Sequence, residues 1–583
     1  MDFWIHVANT ALILIIVAFG TNLLVGYAGL MTLAAGAQFG VGAYTAALLS
    51  VHTDLPPLLC VLAAMVVTSV ASAVSALPAL RIRGEYLILL TLALQMMVHG
   101  MLTSWRGLTG GTTGLTGIDR PVVNGERLLD PTDFFPYILV AGIIAMLIAA
   151  RIGGSPFGRN LRAMRDNESA VIALGRNIVG MKFKVFAISG AFAGLAGGIY
   201  APYSAFVNPA TFTLDQSIFI LAFIVLGGSG SVVGVVVGAV LLVGIPEVLR
   251  FFDFGTDYAE QIRQLLYGVM LILFMLLRPE GLVREGGIRR LLRRIRPKPP
   301  YELEPADETV AADLPADDAL VEKDRILLQG RGLSKTFGGV LAAKELDIEL
   351  RSGRVTALVG PNGAGKTTVF NLLTGFITPD TGEVTLLGKD VTSLAPVKRV
   401  QRGLARTFQD VRLFPKLTVL DNVRSAVPHQ SGEGVFALLF RPLSVRRDEK
   451  KTTAEALRCL EFVGMTDRAD ITVESLSYGD QKLVSIARLV ATGADVLLLD
   501  EPASGVDRAW VERILELIMK LAEQGKAVCL VEHNLDVIRA VADHAYFMEL
   551  GQIVAEGSPE ELMADPRLAE IYFGRGTKEE SMT

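Results

Sequence analysis

The chain has 583 residues, a net charge of −5, 51% hydrophobic and 20% charged residues, and a mean hydropathy of +0.44. So mild a charge does not point to nucleic acid as the partner, and three scattered cysteines (Cys60, Cys459, Cys529) exclude a disulfide framework or a zinc spacing. One uniform globular fold does not combine that hydropathy with that much charge, and the composition divides: apolar runs fill the first 280 residues or so, and charged, turn-rich sequence fills the rest.

Apolar segments run at roughly Phe3–Val25, Leu30–Val51, Leu58–Leu80, Tyr86–Leu102, Phe134–Ala150, Phe183–Tyr203, Ile218–Leu249 and Ile262–Leu277. Most reach the ~20 residues that a membrane-spanning helix needs. Buried helices of a water-soluble core do not come as so many uncharged runs in series. The expected fold is therefore an N-terminal all-α polytopic membrane domain of about 8–9 hydrophobic segments, some of them glycine-broken. The first segment lacks a basic leader and runs into further apolar sequence, so it reads as a span and not as a cleavable signal.

Basic residues orient the segments, because Lys and Arg collect in cytoplasmic loops. Arg81 and Arg83 mark one such loop, Arg151 to Lys184 a second, and Arg278 onward a third. Residues 103–133 then lie outside. Between Lys184 and Arg278 the number of crossings must be even, so 218–249 must enter and return. Gly227-Gly228-Ser229-Gly230-Ser231 breaks it at the middle, as a short half-helix and a longer helix require. Glycines at 26, 29, 36, 40 and 42 fit either close helix packing or a substrate path. The polar Gln38, Tyr44, Thr109, Thr112 and Thr113 lie in such stretches, and nothing in the sequence assigns them a site. The loop Ser155–Lys184 carries a short amphipathic helix, with Met164 and Ser169–Leu174 on its apolar face. It suits either the headgroup surface or docking into a partner domain.

Residues 284–325 read as a linker. Its first part is basic with Leu291, Leu292 and Ile295, suited to an anionic leaflet. Its second part, Tyr301 to Asp324, is acidic and rich in Pro and Ala, with little to bury. The division is then a membrane domain at 1–283, the linker at 284–325, a nucleotide-binding domain at 326–575 and a tail at 576–583.

The second half alternates short β-rich runs with helical ones, an α/β P-loop NTPase pattern. Its fixed point is Gly360-Pro361-Asn362-Gly363-Ala364-Gly365-Lys366-Thr367-Thr368, between an apolar strand (Val355–Val359) and a helix start. The glycines let backbone N–H groups close round the β- and γ-phosphates of a nucleoside triphosphate, and the helix N-terminus adds its positive end. Lys366 reaches the β- and γ-phosphates, and the Thr367 hydroxyl suits Mg²⁺. Val496–Leu499 leads to Asp500 and Glu501: the first is placed for Mg²⁺, the second to polarise the attacking water. Gln409 is placed to join Mg²⁺ and water, and His533 to contact the γ-phosphate. Phe337 offers a ring to stack adenine. Any one of these alone is a common residue in a common place; their order carries the reading.

That order, with Leu476-Ser477-Tyr478-Gly479-Asp480-Gln481 between Gln409 and Asp500, resembles the ATP-binding cassette (ABC) family over about 330–574. The resemblance implies two ATPase domains closing head to tail, with Ser477 and Gly479 serving the partner's nucleotide and Ser504–Asp507 lying between the two sites. Asp480 departs from the usual glutamine, and a carboxylate there must point away from phosphate. In the first half, Asn22–Gly29, Gly40–Tyr44, Arg81–Leu87, Leu108–Leu115 and the Ser155–Gly175 loop resemble the LivM permease of branched-chain amino acid importers. The second half, with an insert at 429–467 and the tail Val554–Pro559 through Tyr572-Phe573-Gly574, resembles its LivG partner.

What the resemblance implies is an importer of a bacterial inner membrane, permease and ATPase fused, with the ATPase domain cytoplasmic. A LivH-like permease, a LivF-like ATPase and an extracytoplasmic solute-binding protein complete it; a homodimer of the fusion is the other assembly. Urea or aromatic carboxylates are rival cargoes within the family. An ABC exporter is the rival class, although it would carry six long helices reaching well beyond the membrane.

Overall fold

The computed structural model describes residues 2–80, 86–123, 125–249 and 324–568, with parts of 265–286. Arg81, Arg83, half of Ile262–Leu277, nearly all of the 284–325 linker and the tail, Tyr572-Phe573-Gly574 included, lie outside the described residues. The described residues fall into two compact units: those within Met1–Arg165, Ile178–Pro299 and Glu433–Phe440, and those within Asp166–Asn177, Pro300–Gly432 and Arg441–Thr583.

The first unit is helical: α1 (Asp2–Asn22), α2 (Ala35–His52), α3 (Pro57–Ala79), α4 (Tyr86–Ser104), α5 (Pro131–Gly153), α6 (Pro156–Asp166), then, after a segment of the second unit, α8 (Ile178–Ser204), α9 (Leu214–Gly227) and α10 (Val232–Leu249). Among the described residues six helices are long and apolar enough to cross a membrane: Asp2–Tyr27, Pro57–Pro78, Tyr86–Ser104, Pro131–Gly153, Ile178–Ser204 and Pro209–Gly227. The second expected span, Leu30–Val51, is not among them. After a π-helical turn at Leu23–Tyr27 the chain leaves the helix, and α2 begins only at Ala35.

Glycines set the packing. A Cβ on Gly42 would stand 2.8 Å from the Cα of Gly194, and one on Gly197 would stand 2.6 Å from the carbonyl oxygen of Phe39, so α2 and α8 cross backbone to backbone. Gly40 sits against the Phe212 ring, 3.0 Å from where its Cβ would be. For these glycines the structure shows close packing. Gln38 is also engaged in that packing: it donates to Ser72 (2.9 Å) and accepts from Ser189 (3.4 Å). Thr109 donates to the carbonyls of Leu102 and Trp105.

The break at 227–231 is as expected, between a helix of 14 residues and one of 18. Its freed backbone groups find a partner, since Asn22 accepts from Gly230 N (3.0 Å) and donates to Ser231 O (3.4 Å). The outward faces are apolar, as lipid requires: Val66, Val70, Val74 and Leu77 on α3, and Val140, Ile143, Ile144 and Leu147 on α5, are all exposed.

The Ser155–Lys184 loop holds two helices where the sequence reading expects one. Asn167 leaves helical geometry and caps α7 (Glu168–Ala173), its side chain accepting from Ala170 N at 2.9 Å. Lys182 and Lys184 already belong to α8. α7 and the following residues pack within the second unit, where Arg176 is buried and donates to the carbonyls of Ser425 and Val427.

The second unit has two sheets. An antiparallel one comprises β1 (Ile326–Phe337), β2 (Val340–Arg351), β4 (Thr381–Leu386) and β5 (Lys389–Asp390), in the order β2-β1-β4-β5. The central sheet runs β6 (Leu404–Arg406), β7 (Val496–Asp500), β8 (Ala527–Val531), β3 (Val355–Val359), β9 (His544–Glu549), β10 (Gln552–Gly557). Its first five strands are parallel and β10 is antiparallel. β3, β7 and β8 are buried at every position, as expected of parallel strands covered on both faces. α11 (Lys366–Thr374), α12 (Tyr478–Val490) and α13 (Arg508–Glu523) belong to the same unit.

Candidate nucleotide site

Four neighbouring parallel strands, β6, β7, β8 and β3, point their C-terminal ends to one edge of the central sheet. Their exits carry, in turn, Gln409, Asp500 with Glu501, His533 and the 360–368 loop. Ligands bind at such an edge in open α/β sheets because loops and helix N-termini converge there.

The loop Gly360–Thr368 turns at residues that need left-handed backbone: Gly363 has φ +84° and Gly365 φ +104°. Gly365 is the N-cap residue of α11. The Lys366 ammonium lies along the loop, donating to the carbonyls of Gly360 (2.6 Å) and Pro361 (3.0 Å). Burial pulls its pKa down, while the charges of Glu501 and Asp500 pull it back up. Thr367 is exposed at the first turn of α11.

Asp500 ends β7 almost buried, its N–H donating to the Thr407 hydroxyl at 3.1 Å. Burial pushes its carboxyl upward, against the pull of Arg406, whose guanidinium stands 3.5 Å away. Arg406 is itself buried. Burial brings its pKa down to about 10, opposed by Asp500, and it remains charged at neutral pH. It also donates to Asn371 (2.7 Å) and lies 4.6 Å from the centre of the Phe408 ring.

Glu501 has φ +46°, a left-handed conformation that is strained for such a side chain. Two hydrogen bonds hold it: its N–H donates to Val531 O (2.9 Å), and Lys482 Nζ donates to its carbonyl (2.8 Å). The side chain then meets Gln409, whose Nε2 donates to Oε2 at 3.2 Å, and His533, whose Nδ1 is 3.7 Å from Oε1. Two residues distant in sequence thus meet on the Glu501 carboxylate. Phe337 closes β1 half-exposed, with Lys335 Nζ 5.8 Å from the centre of its ring.

Ser477 caps α12: its hydroxyl accepts from Asp480 N (3.2 Å) and donates to Asp480 Oδ2 (2.7 Å). Arg468 pairs with the same carboxylate oxygen. The Asp480 carboxylate is therefore buried, with Oδ2 held by the cap hydroxyl and by Arg468. Gly479 lies against Trp510, where a Cβ would stand 2.6 Å from the indole ring.

Arg406, Lys482, Arg468 and Trp510 carry this geometry without having been predicted. Arg406 had a signal, a basic residue in the short apolar strand before Gln409; the other three had none that chain order reveals.

The oxygen set fits magnesium. Asp500 and Thr367 supply hard oxygens, and Mg²⁺ is ordinarily held by one or two carboxylates together with substrate phosphates, not by an all-protein cage. Among the described residues no group of three or more His, Cys, Asp or Glu could form such a cage.

A family model described as the permease component of a branched-chain amino acid transport system matches residues 3–275. One described as an ABC transporter matches 343–504. The high-affinity branched-chain amino acid transport ATP-binding protein LivG of Salmonella typhimurium is 37% identical over 249 residues, 42% of this chain and 98% of LivG. BraF of Pseudomonas aeruginosa, which bears the same description, is 36% identical over 251 residues, 43% of this chain and 98% of BraF. A crystal structure of a nucleotide-free ATP-binding cassette from an ABC transporter matches with 32% identity and a TM-score of 0.38, covering 43% of this chain and 100% of that one.

Fold, loop set and matches define an ABC transporter ATPase that hydrolyses ATP to drive transport, joined to a multi-pass membrane domain. The chain belongs to the branched-chain amino acid transport family, as a fusion of its permease and its LivG-type ATP-binding protein.

Proposed function

We propose that this chain imports branched-chain amino acids across a bacterial inner membrane, with its ATPase domain in the cytoplasm. The observation that carries the chemistry is the convergence of Gln409 and His533 on Glu501 at the sheet edge that ends in the 360–368 loop. The observation that carries the cargo is that a branched-chain permease match and LivG-type relatives fall on one polypeptide.

Residues 360–368 hold the ATP phosphates through loop N–H groups and the Lys366 ammonium, and Phe337 stacks on adenine. Mg²⁺, held by Thr367, Asp500 and Gln409, would neutralise charge on the phosphates when bound. Glu501 accepts a proton from the attacking water; the Gln409 amide and His533 hold that carboxylate and water in line with the γ-phosphate. Arg406 keeps Asp500 in position from behind. Ser477 and Gly479 face the nucleotide of a second ATPase.

The drive to the membrane domain passes through α7. Ala170, Ala173 and Leu174 line a small cavity together with Arg406, Thr407 and Phe408, the residues that precede Gln409. Gln401 donates to Gly175 O at 3.2 Å. A shift of the Gln409 loop on ATP binding is thus felt by α7. A second permease (LivH-like), a second ATPase (LivF-like) and an extracytoplasmic binding protein complete the assembly.

The test is ATPase activity of the reconstituted complex with its binding protein, against a panel of amino acids, urea and aromatic acids. Stimulation by leucine, isoleucine or valine supports the reading. Stimulation by another solute changes the cargo, and stimulation without any binding protein turns the assignment to export.

A further inference from the structure

One short helix of the ATP-binding half, Val435–Phe440, packs within the membrane unit. Its attachment is polar: Arg151 Nε donates to Leu438 O at 2.9 Å, and Asn160 Nδ2 donates to Glu433 Oε1 at 3.1 Å. Its apolar side chains are divided. Leu438 is buried, but Phe436 is 71% exposed and Phe440 67% exposed, with their ring centres 4.7 Å apart. Paired phenylalanines in water forgo the burial that normally keeps such rings inside.

The place of the attachment says what covers them. Residues three, four and seven apart share a helix face. Val140, Ile144 and Leu147 lie on the exposed, lipid-facing side of α5, and Arg151 continues that face one turn further. The helix is therefore fixed to the foot of a lipid-facing stripe, at an arginine of the kind that anchors a span at the interface. In the chain, Phe440 is followed by the exposed Arg441, Arg446 and Arg447, charges that suit anionic headgroups.

We infer that Val435–Phe440 is a membrane-surface foot, inserting Phe436 and Phe440 at the headgroup–acyl boundary of the bilayer that α5 spans. The foot ties the nucleotide-binding half to the lipid surface independently of α7. The inference rests on the membrane-spanning reading of α5 and not on the cargo.

The test uses the full-length chain in its assembled transporter, in nanodiscs of phosphatidylcholine and phosphatidylglycerol. Cys60, Cys459 and Cys529 are buried, so the F440C variant takes an environment-sensitive fluorophore at one exposed thiol. Phosphatidylcholine bearing a nitroxide at acyl carbon 5 or 12 then quenches it by depth. The expected result is blue-shifted emission quenched severalfold more by the shallow nitroxide than by the deep one. Unshifted, unquenched emission places the helix in water and overturns the inference. Blue-shifted emission that neither nitroxide quenches means a protein partner covers the rings, which also overturns it. F436C carries the same label where F440C assembles poorly.

Discussion

The side-chain amide of Gln409 donates to the carboxylate of Glu501 across 3.2 Å, joining two residues that lie 92 positions apart in the chain. Gln409 stands just beyond β6 and Glu501 just beyond β7, and those strands are parallel neighbours. The amide thus meets the proposed general base directly. Glu501→Gln keeps the shape of the side chain and removes the basic lone pair. ATP binding is expected to persist while hydrolysis falls roughly 100-fold or more. Equilibrium binding and single-turnover hydrolysis on one preparation check both halves, and turnover near wild type removes the assignment.

Arg406 gives a stability prediction. It and Asp500 are both almost wholly buried, and taking away the guanidinium leaves a buried carboxylate without its partner. Arg406→Ala is expected to destabilise the nucleotide-binding half by about 3–5 kcal/mol, as breaking a buried pair does. Arg406→Lys restores charge without the planar fork that also reaches Asn371, so it recovers only part of the loss. Chemical denaturation followed by tryptophan fluorescence reports both.

Gly479 separates packing from nucleotide contact. A methyl group there meets the Trp510 ring, so Gly479→Ala is expected to cost about 1–3 kcal/mol through overpacking alone. Adding Trp510→Leu makes room and returns most of that stability. Hydrolysis that stays low in the stable double variant locates the remaining defect at the composite site with the second ATPase; full recovery assigns Gly479 to packing only.

Arg176 tests the transmission through α7. Its guanidinium is buried and donates to the carbonyls of Ser425 and Val427. Arg176→Ala removes charged hydrogen bonds worth about 3 kcal/mol together. Basal ATPase is expected to continue while stimulation by loaded binding protein is lost. Equal loss of basal and stimulated rates would make Arg176 a folding residue and not a relay.

The P-loop was legible because its requirement is local: positive φ at spaced glycines between a buried strand and a helix start. Gln409, Glu501 and His533 were legible one by one, each just past a short apolar run, and the parallel sheet does the rest by bringing those runs to one edge. What stayed hidden depends on burial at a distance. Nothing near Arg468 in the chain says that it pairs with Asp480, and nothing near Gly479 says that Trp510 lies over it. The split of the 155–184 loop turned on one side chain, Asn167, which serves as a cap more readily than as a helix interior residue. In the membrane half the glycine-rich stretch admitted two readings. The contacts of Gly40 and Gly42 show packing, because their Cβ positions are already filled by neighbouring atoms.

The central claim is ATP-driven import of branched-chain amino acids, and uptake measures it directly. The assembled transporter is placed in proteoliposomes with ATP on the side of the nucleotide-binding domains and binding protein with labelled leucine on the other. The account predicts leucine movement toward the ATP side, competed by isoleucine and valine and absent in Glu501→Gln. Movement of solute away from the ATP side, or uptake of another solute with leucine, isoleucine and valine inert, would contradict it.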